Sequence, residues 1–310
     1  MLPIVFSTDH NFVMQTGVCI LSLLKSAEVS QYDIYVLINN DVTVEDKTLI
    51  ERQISFFQGH KISFINVGDI FEGSYEVRNI SIASYSRLLI PWLLPHLDKV
   101  IYSDVDIIFK TDLANIPAEE LSDHLVAGVP ALGLQSETGH KYIESLGLNP
   151  HFYINAGFII LNCKLLRDEN FKEIFISEAK KKYLYQDQDI INLNCSGRIL
   201  LMNIGFNVTP RYYEIYNKDL LINHNEVSKQ NWKKWISGSG CIIHYAGQKP
   251  WNTFTYAWRE WWNVYSCSIF YNPEFEIEIS KKILRPNYGW IRILGFIKRK
   301  LLGYMPHFHK

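Results

Sequence analysis

Residues 98–109 read D-K-V-I-Y-S-D-V-D-I-I-F, an apolar run that ends on Asp104 and Asp106. In an extended chain, residues i and i+2 face the same way, so the spacing predicts two carboxylates on one face at a strand end. Such a pair repels unless a cation lies between its members. Hard oxygen ligands suit Mg²⁺ or Mn²⁺, and a metal so held is placed to neutralise a diphosphate. The plainer alternative is an acidic exit from strand to loop. What decides the fold is that the run at 99–103 is the fourth of its kind. Upstream lie strands at 3–8 (P-I-V-F-S-T), 33–38 (D-I-Y-V-L-I) and 62–66 (I-S-F-I-N). Between them the pattern predicts helices at 12–26, with Val13, Val18, Ile20, Leu21, Leu23 and Leu24 as its apolar set, and at 43–59. A Leu-rich helix follows at 83–94. Thr43 is a suitable N-cap for the second helix, with Glu45 and Asp46 in its first turn. This β-α-β-α-β-α-β order implies an α/β fold with a mainly parallel, Rossmann-like sheet. Ligands of such sheets bind beyond the carboxyl ends of the strands. Asp9, after the first strand, and Asp104, after the fourth, are therefore expected to face one pocket.

The second half is more mixed. Strands are expected at 125–129, 154–161, 199–203 and 240–244, and helices at 168–182 and 187–194. No repeat, low-complexity tract or Pro/Gly linker cuts the chain before about residue 270. The reading is one domain over 1–270 followed by a C-terminal extension over 271–310.

The composition is that of a well-buried globular protein: 310 residues, 47% hydrophobic and 20% charged. Cys19, Cys163, Cys195, Cys241 and Cys267 show no metal-ligand spacing and are expected to be buried free thiols of a reducing compartment. The opening Met-Leu-Pro-Ile-Val-Phe has no basic segment before an apolar one, so no signal peptide is expected. No apolar stretch reaches the length of a bilayer-spanning helix. The net charge of −1 hides an asymmetry: residues 281–310 carry eight Lys and Arg and no Asp or Glu, which leaves −9 for residues 1–280. Residues 283–304 interleave these cations with Trp, Tyr and Ile, the pattern of an amphipathic helix on an anionic membrane surface. Packing on the domain with the basic face in solvent is the alternative. No nucleic-acid recognition motif accompanies the charge, and no nucleic-acid partner is expected.

Four further groups carry chemistry. In H-Y-A-G-Q-K-P-W (244–251), His244 closes a predicted strand, Gly247 allows close backbone approach, and Lys249 offers a point charge for a phosphate. A histidine beside two aspartates shifts the metal from Mg²⁺ towards Mn²⁺, which accepts imidazole nitrogen. In Y-Q-D-Q-D (185–189), Asp187, Gln188 and Asp189 bunch at a helix start, suited either to sugar hydroxyls or to ordinary N-terminal capping. Asn155, Ala156 and Gly157 interrupt an apolar strand, a sign of a ligand passing close or of a bulge. Arg87 on the Leu-rich helix either pairs with a diphosphate or snorkels to solvent. Trp258, Trp261 and Trp262 read as core rather than as a sugar platform.

Together these segments resemble glycosyltransferase family 8, retaining enzymes that include the bacterial lipopolysaccharide and lipooligosaccharide galactosyl- and glucosyltransferases. The matching stretches are V-F-S-T-D-H-N-F, S-Y-S-R-L-L-I-P, K-V-I-Y-S-D-V-D-I, Y-I-N-A-G-F-I-I-L-N, Y-Q-D-Q-D-I-I-N and H-Y-A-G-Q-K-P-W, in family order over residues 4–251. The resemblance implies a GT-A fold and a UDP-hexose donor, with Mn²⁺ (or Mg²⁺) on Asp104, Asp106 and His244. It implies that Ser7, Thr8, Asp9 and Asn11 line the nucleoside site. Lys249 and the Gly247 backbone would hold the phosphates, and Val105, Ala156 and Gly157 would lie along the donor. Arg87, Asn155, Asp187 and Gln188 would contact the sugar, with Gln188 near the anomeric carbon and Asp189 as a charge-stabilising group. It implies a glycan or glycolipid acceptor and a cytoplasmic enzyme peripheral to the inner face of the membrane. Two features depart from the family's galactosyltransferases. Pro130 and Ala131 stand where those enzymes have an acidic sugar contact, which leaves glucose or another hexose open. The interval from His244 to Lys249 is also one residue shorter. A non-catalytic sugar-nucleotide or glycan-binding protein, and an aspartyl-phosphatase-like hydrolase, are the alternatives; the latter's D-x-D belongs on a first strand, whereas here three strands precede it.

Overall fold

The computed structural model describes residues 1–68, 82–116, 118–210 and 240–284. Its strands are β1 (Leu2–Thr8), β2 (Tyr32–Ile38), β3 (Lys61–Asn66), β4 (Lys99–Ser103), β5 (Ile107–Phe109), β6 (Val126–Pro130), β7 (Ile154–Asn162), β8 (Ile199–Leu201) and β9 (Ile242–His244). Its helices are α1 (Val13–Ser26), α2 (Val44–Ile54), α3 (Ile90–Leu93), α4 (Glu137–Ser145), α5 (Cys163–Asp168), α6 (Phe171–Glu178), α7 (Gln186–Asn194), α8 (Trp258–Tyr265) and α9 (Pro273–Leu284). The chain divides into two compact units, one of residues 1–16, 27–105 and 113–203, the other of residues 17–26, 106–112 and 204–310.

The first unit holds a seven-stranded sheet in the order β3-β2-β1-β4-β7-β6-β8. The pairs β1–β2, β2–β3, β1–β4 and β6–β8 are parallel, whereas β7 is antiparallel to both β4 and β6. Only β7 therefore runs against the rest, and the mainly parallel sheet expected from the pattern is present. β1, β2 and β4 are buried on both faces, which is why they read as nearly continuous apolar runs rather than as alternations. Val5, Tyr35, Leu37, Val100, Tyr102, Val126, Ile159 and Leu161 project into one core with Leu88, Leu89, Ile90, Phe175, Ile190 and Ile191.

Helix α2 begins as expected: the Thr43 hydroxyl accepts from the Asp46 N–H at 3.1 Å, and the Asp46 carboxylate accepts from the Thr43 N–H at 2.8 Å. Two other helices differ from the sequence reading. The run at 83–94 is a 3-10 segment, Ile82–Leu89, that becomes α-helical only in α3. The tighter winding stacks residues three apart, and it directs Ser86 and Arg87 to the sheet edge. The helix expected at 168–182 starts earlier and breaks. Asn162 caps α5 by accepting from the Leu165 N–H, and Asn170, at φ 59, separates α5 from α6.

In the second unit β5 pairs with β9, Ile107 opposite His244 and Phe109 opposite Ile242. Phe109 N–H donates to the Ser22 hydroxyl at 2.9 Å. Trp261 is fully buried, stacked on Tyr265 with ring centroids 5.0 Å apart and edge-on to Trp262 at 5.1 Å. These two tryptophans are core, as expected. All five cysteines are free thiols, and only Cys267 departs from the expected burial, being exposed. No described helix is long and apolar enough to cross a membrane. The basic helix read at 283–304 lies outside the described residues from 285 onward.

Candidate active site

The sheet of the first unit brings its sequence-predicted residues to one edge. β1 and β4 are parallel neighbours with Phe6 opposite Ser103, so the Thr8–Asp9 turn and Asp104 leave the sheet side by side. β7 enters from the other direction. The register of β7 with β6 slips between Gly128 and Pro130, and the bulge frees backbone groups of residues 155–157 from the ladder. Of the two readings of Asn155-Ala156-Gly157, the bulge is present. The Asp104 N–H donates to the Gly157 carbonyl at 2.7 Å, and the Gly157 N–H to Asn155 Oδ1 at 3.0 Å.

Arg87 is the centre of this edge. It is only 6% exposed, so it does not snorkel. Nη1 donates to the Ala156 carbonyl at 2.7 Å, Nη2 meets Asp104 Oδ1 at 2.8 Å, and Nε meets Asp187 Oδ2 at 2.9 Å. The guanidinium lies 4.4 Å over the Tyr102 ring, and the Tyr102 hydroxyl donates to Asp104 Oδ1 at 2.8 Å. A planar fork meets two carboxylates and a carbonyl with three separate nitrogens, a span that a single ammonium nitrogen lacks. Burial pushes the Asp187 carboxyl up to about 6, against the pull of Arg87, and the Asp104 charge adds to the rise. The same burial raises the Tyr102 hydroxyl well above its ordinary value.

Around β1, the Ser7 and Ser86 hydroxyls are 2.9 Å apart. The Thr8 hydroxyl donates to the Asp9 carbonyl and accepts from Thr16 at 2.8 Å. Asp9 caps the short turn His10–Phe12 by accepting from the Asn11 N–H at 2.9 Å, and Asn11 is exposed. At α7, Gln188 Oε1 accepts from Asn155 Nδ2 at 3.1 Å and from the Ala156 N–H at 3.2 Å. Asp187 does not act as a side-chain cap, and Asp189 does so only in part, by accepting from the Tyr185 N–H at 2.7 Å.

In the second unit, Asp106, His244 and Lys249 meet. His244 Nδ1 lies 2.9 Å from Asn207 Oδ1, which holds the ring from that side. Nε2 lies 3.2 Å from Asp106 Oδ1, a buried oxygen that takes no hydrogen bond from the described residues. A carboxylate oxygen and an imidazole nitrogen facing each other in a buried place are groups that can hold a cation, with Asn207 orienting the imidazole from behind. Lys249 Nζ contacts Asp106 Oδ2 and donates to the Tyr245 carbonyl at 3.0 Å. Burial opposes the charged form of Asp106, but the Lys249 ammonium and then His244 outweigh it and hold the carboxyl well below the usual range. The loop that carries Lys249 is clamped where Trp262 Nε1 donates to the Pro250 carbonyl at 3.0 Å. Gly247 sits at φ +102, and a Cβ there meets nothing within 4 Å. Gly247→Ala is therefore expected to cost about 1–2 kcal/mol of conformational strain with no clash, measured by urea denaturation.

One expectation fails in detail. β4 ends at Ser103 and β5 begins at Ile107, so Asp104 and Asp106 flank a bend at buried Val105 rather than sharing a strand face. Their partners differ accordingly, Arg87 and Tyr102 for Asp104, His244 and Lys249 for Asp106. Sequence reading also missed Tyr102, Asn207, Tyr142 and Tyr153. Tyr102 was legible, two residues before Asp104 on the same strand. Asn207 has no local signal, being far from His244 in sequence.

Glycosyl transferase family 8 matches residues 3–255 of the chain. The lipopolysaccharide glucosyltransferase WaaO of Escherichia coli K12 is 26% identical over 266 residues, which cover 83% of this chain and 74% of that protein. Among solved structures, the bifunctional glycosyltransferase WbbM is 27% identical with a TM-score of 0.69. The match covers 91% of this chain but only 52% of WbbM, about half its length. The galactosyltransferase LgtC, solved with donor and acceptor sugar analogues, matches with a TM-score of 0.75 at 23% identity, covering 89% of this chain and 100% of that one. The sheet and these likenesses give the α/β, GT-A fold expected from the sequence. With four-fifths of its residues inside the matched region, the chain belongs to glycosyl transferase family 8.

Proposed function

We propose that this glycosyltransferase moves a hexose, glucose or galactose, from a UDP-sugar to a cell-surface glycan or glycolipid, with retention of configuration and with a divalent cation. The observation that carries the reading is the buried Asp106 Oδ1, which has no hydrogen-bond partner among the described residues, facing His244 Nε2 at 3.2 Å. Asp104, two residues earlier in the chain, supplies the second carboxylate of a set able to hold a metal ion. An imidazole among oxygens favours Mn²⁺ over Mg²⁺. Bound there, the ion supplies positive charge to the diphosphate as UDP leaves.

The chain's own residues do the rest. Lys249 and the Gly247 N–H neutralise the phosphates, and Ser7, Thr8, Asp9 and Asn11 receive the nucleoside. Arg87, Asn155, Asp187 and Gln188 orient the hexose beside the backbone of Val105, Ala156 and Gly157. The bond from the anomeric carbon to the β-phosphate oxygen breaks, and the acceptor hydroxyl attacks the same face. Its proton passes to the departing phosphate, while the carboxylate of Asp187 favours positive charge at the anomeric centre. WaaO is named for glucose and lipopolysaccharide and LgtC for galactose, which supports this donor and acceptor class. The cations of residues 281–310 suit an anionic membrane surface, and we place the enzyme in the cytoplasm, peripheral at the inner face of the cytoplasmic membrane.

The test is a donor screen. Purified chain with Mn²⁺ is offered UDP-glucose, UDP-galactose, UDP-N-acetylglucosamine and UDP-glucuronate, and free UDP is followed. Release from a UDP-hexose, abolished by a chelator, is the expected result. A chain that neither releases nor binds UDP would overturn the reading.

A further inference from the structure

Asp189, in the first turn of α7, is fully buried, and three groups donate to it. Tyr142 Oη reaches Oδ2 at 2.5 Å, the Tyr185 N–H reaches the same oxygen at 2.7 Å, and the Tyr153 hydroxyl donates to Oδ1. A carboxylate so enclosed makes a poor partner for substrate, because contact would strip it of donors that already satisfy it. Burial first, and the Asp189 charge second, push the Tyr153 hydroxyl far above its ordinary range, so it keeps its proton on Asp189.

That proton assignment has a consequence one residue away. A hydroxyl that has given its only hydrogen to Asp189 meets its next neighbour as an acceptor, and that neighbour is Gln188 Nε2 at 3.3 Å. At the other end of the amide, the Ala156 N–H can only donate, and it faces Gln188 Oε1 at 3.2 Å. Both ends dictate the same orientation of the Gln188 amide. The frame behind it is rigid. The Asn192 side chain accepts from the Ile154 N–H at 2.7 Å and donates to the Ile154 carbonyl at 2.9 Å and the Gln188 carbonyl at 2.8 Å, which ties α7 to β7.

We propose that Tyr153, polarised by Asp189, is a positioning residue that sets the side chain of Gln188 for the transfer step. The proposal rests on the transferase reading above and extends it, since Gln188 would lie beside the reacting sugar. Asp189 then acts through Tyr153 rather than on the substrate. The same amide can act as a donor or acceptor depending on which way it is turned, so fixing it removes an unproductive half of its states.

The experiment uses the full chain labelled with ¹⁵N-glutamine, with the Gln188 side-chain signal assigned by its loss in Gln188→Ala. In the native chain this amide gives a dispersed, slowly exchanging NH₂ pair. In Tyr153→Phe the pair moves to the position and exchange rate of an exposed glutamine. UDP release from UDP-glucose and UDP-galactose with Mn²⁺ then falls about ten- to a hundredfold in kcat with little change in donor KM. Tyr142→Phe removes a bond of the same kind from Asp189 without touching Gln188. It lowers Tm comparably and kcat less. In a Gln188→Ala background, Tyr153→Phe adds little further loss, because the two residues act as one unit. An unchanged Gln188 signal in Tyr153→Phe, or fully additive losses in the double variant, would overturn the proposal. If the native chain turns over no donor while the amide still answers to Tyr153→Phe, the transferase reading falls and the hydrogen-bond relay stands.

Discussion

Asp106→Asn is expected to keep the fold and to lose metal-dependent UDP release by roughly a thousandfold, about 4 kcal/mol of transition-state stabilisation. The amide is nearly isosteric, so β5 and the Tyr245 N–H on the Asp106 carbonyl at 2.9 Å are preserved. What goes is the negative charge that pairs with Lys249 and faces the His244 imidazole. Calorimetric titration with Mn²⁺ should show the binding heat vanish with the activity. Retained metal binding and retained turnover in this variant would remove Asp106 from the ligand set. The metal-free chain offers a second readout. Because the folded-state carboxyl lies below its unfolded value, Asp106 stabilises the fold at pH values above about 4 and loses that contribution as pH falls further. The acid limb of the native stability profile should therefore be shallower in Asp106→Asn.

The second large effect is at Arg87. Arg87→Met keeps the bulk but strands two carboxylates and the Ala156 carbonyl, and is expected to cost about 3–5 kcal/mol at neutral pH. Arg87→Lys should recover little, since one ammonium nitrogen cannot span acceptors that meet three separate nitrogens of the planar guanidinium. Both should abolish UDP release. The pH dependence gives the sign. The Asp187 carboxyl is raised to about 6 in the fold, so between about 4 and 6 the folded chain binds more protons than the unfolded one. Stability from this group falls across that window as pH rises, by about 3 kcal/mol in all. Removal of Arg87 takes away the charge that restrains the rise, so the deficit of Arg87→Met should be larger at pH 7 than at pH 4.5. Urea denaturation at the two pH values measures it. An equal deficit at both would show that Asp187 does not depend on Arg87.

Much of this edge was legible from residues alone. β1 to β4 fall within a residue or so of their expected places: β1, β2 and β4, buried on both faces, leave long apolar runs, and the edge strand β3 is legible by its alternation. Asp104, Asp106 and His244 were picked out by residue type and by position at strand ends. The 3-10 winding of Ile82–Leu89 was not legible: Leu-rich spacing suits either helix type, and the choice is made by where Ser86 and Arg87 must reach. The break between α5 and α6 was missed for a related reason. Asn170 takes a left-handed conformation that its type permits without requiring it.

The amino-acid sequence by itself determined the alternation of strand and helix, the chemistry at the strand ends and membership of the family, because each rests on residues near one another in the chain. Tertiary structure alone decided which groups pair: Arg87 with Asp187, His244 with Asn207, Asp189 with Tyr142 and Tyr153. A buried polar side chain must find a partner wherever the backbone brings one, and distance along the chain carries no record of that choice.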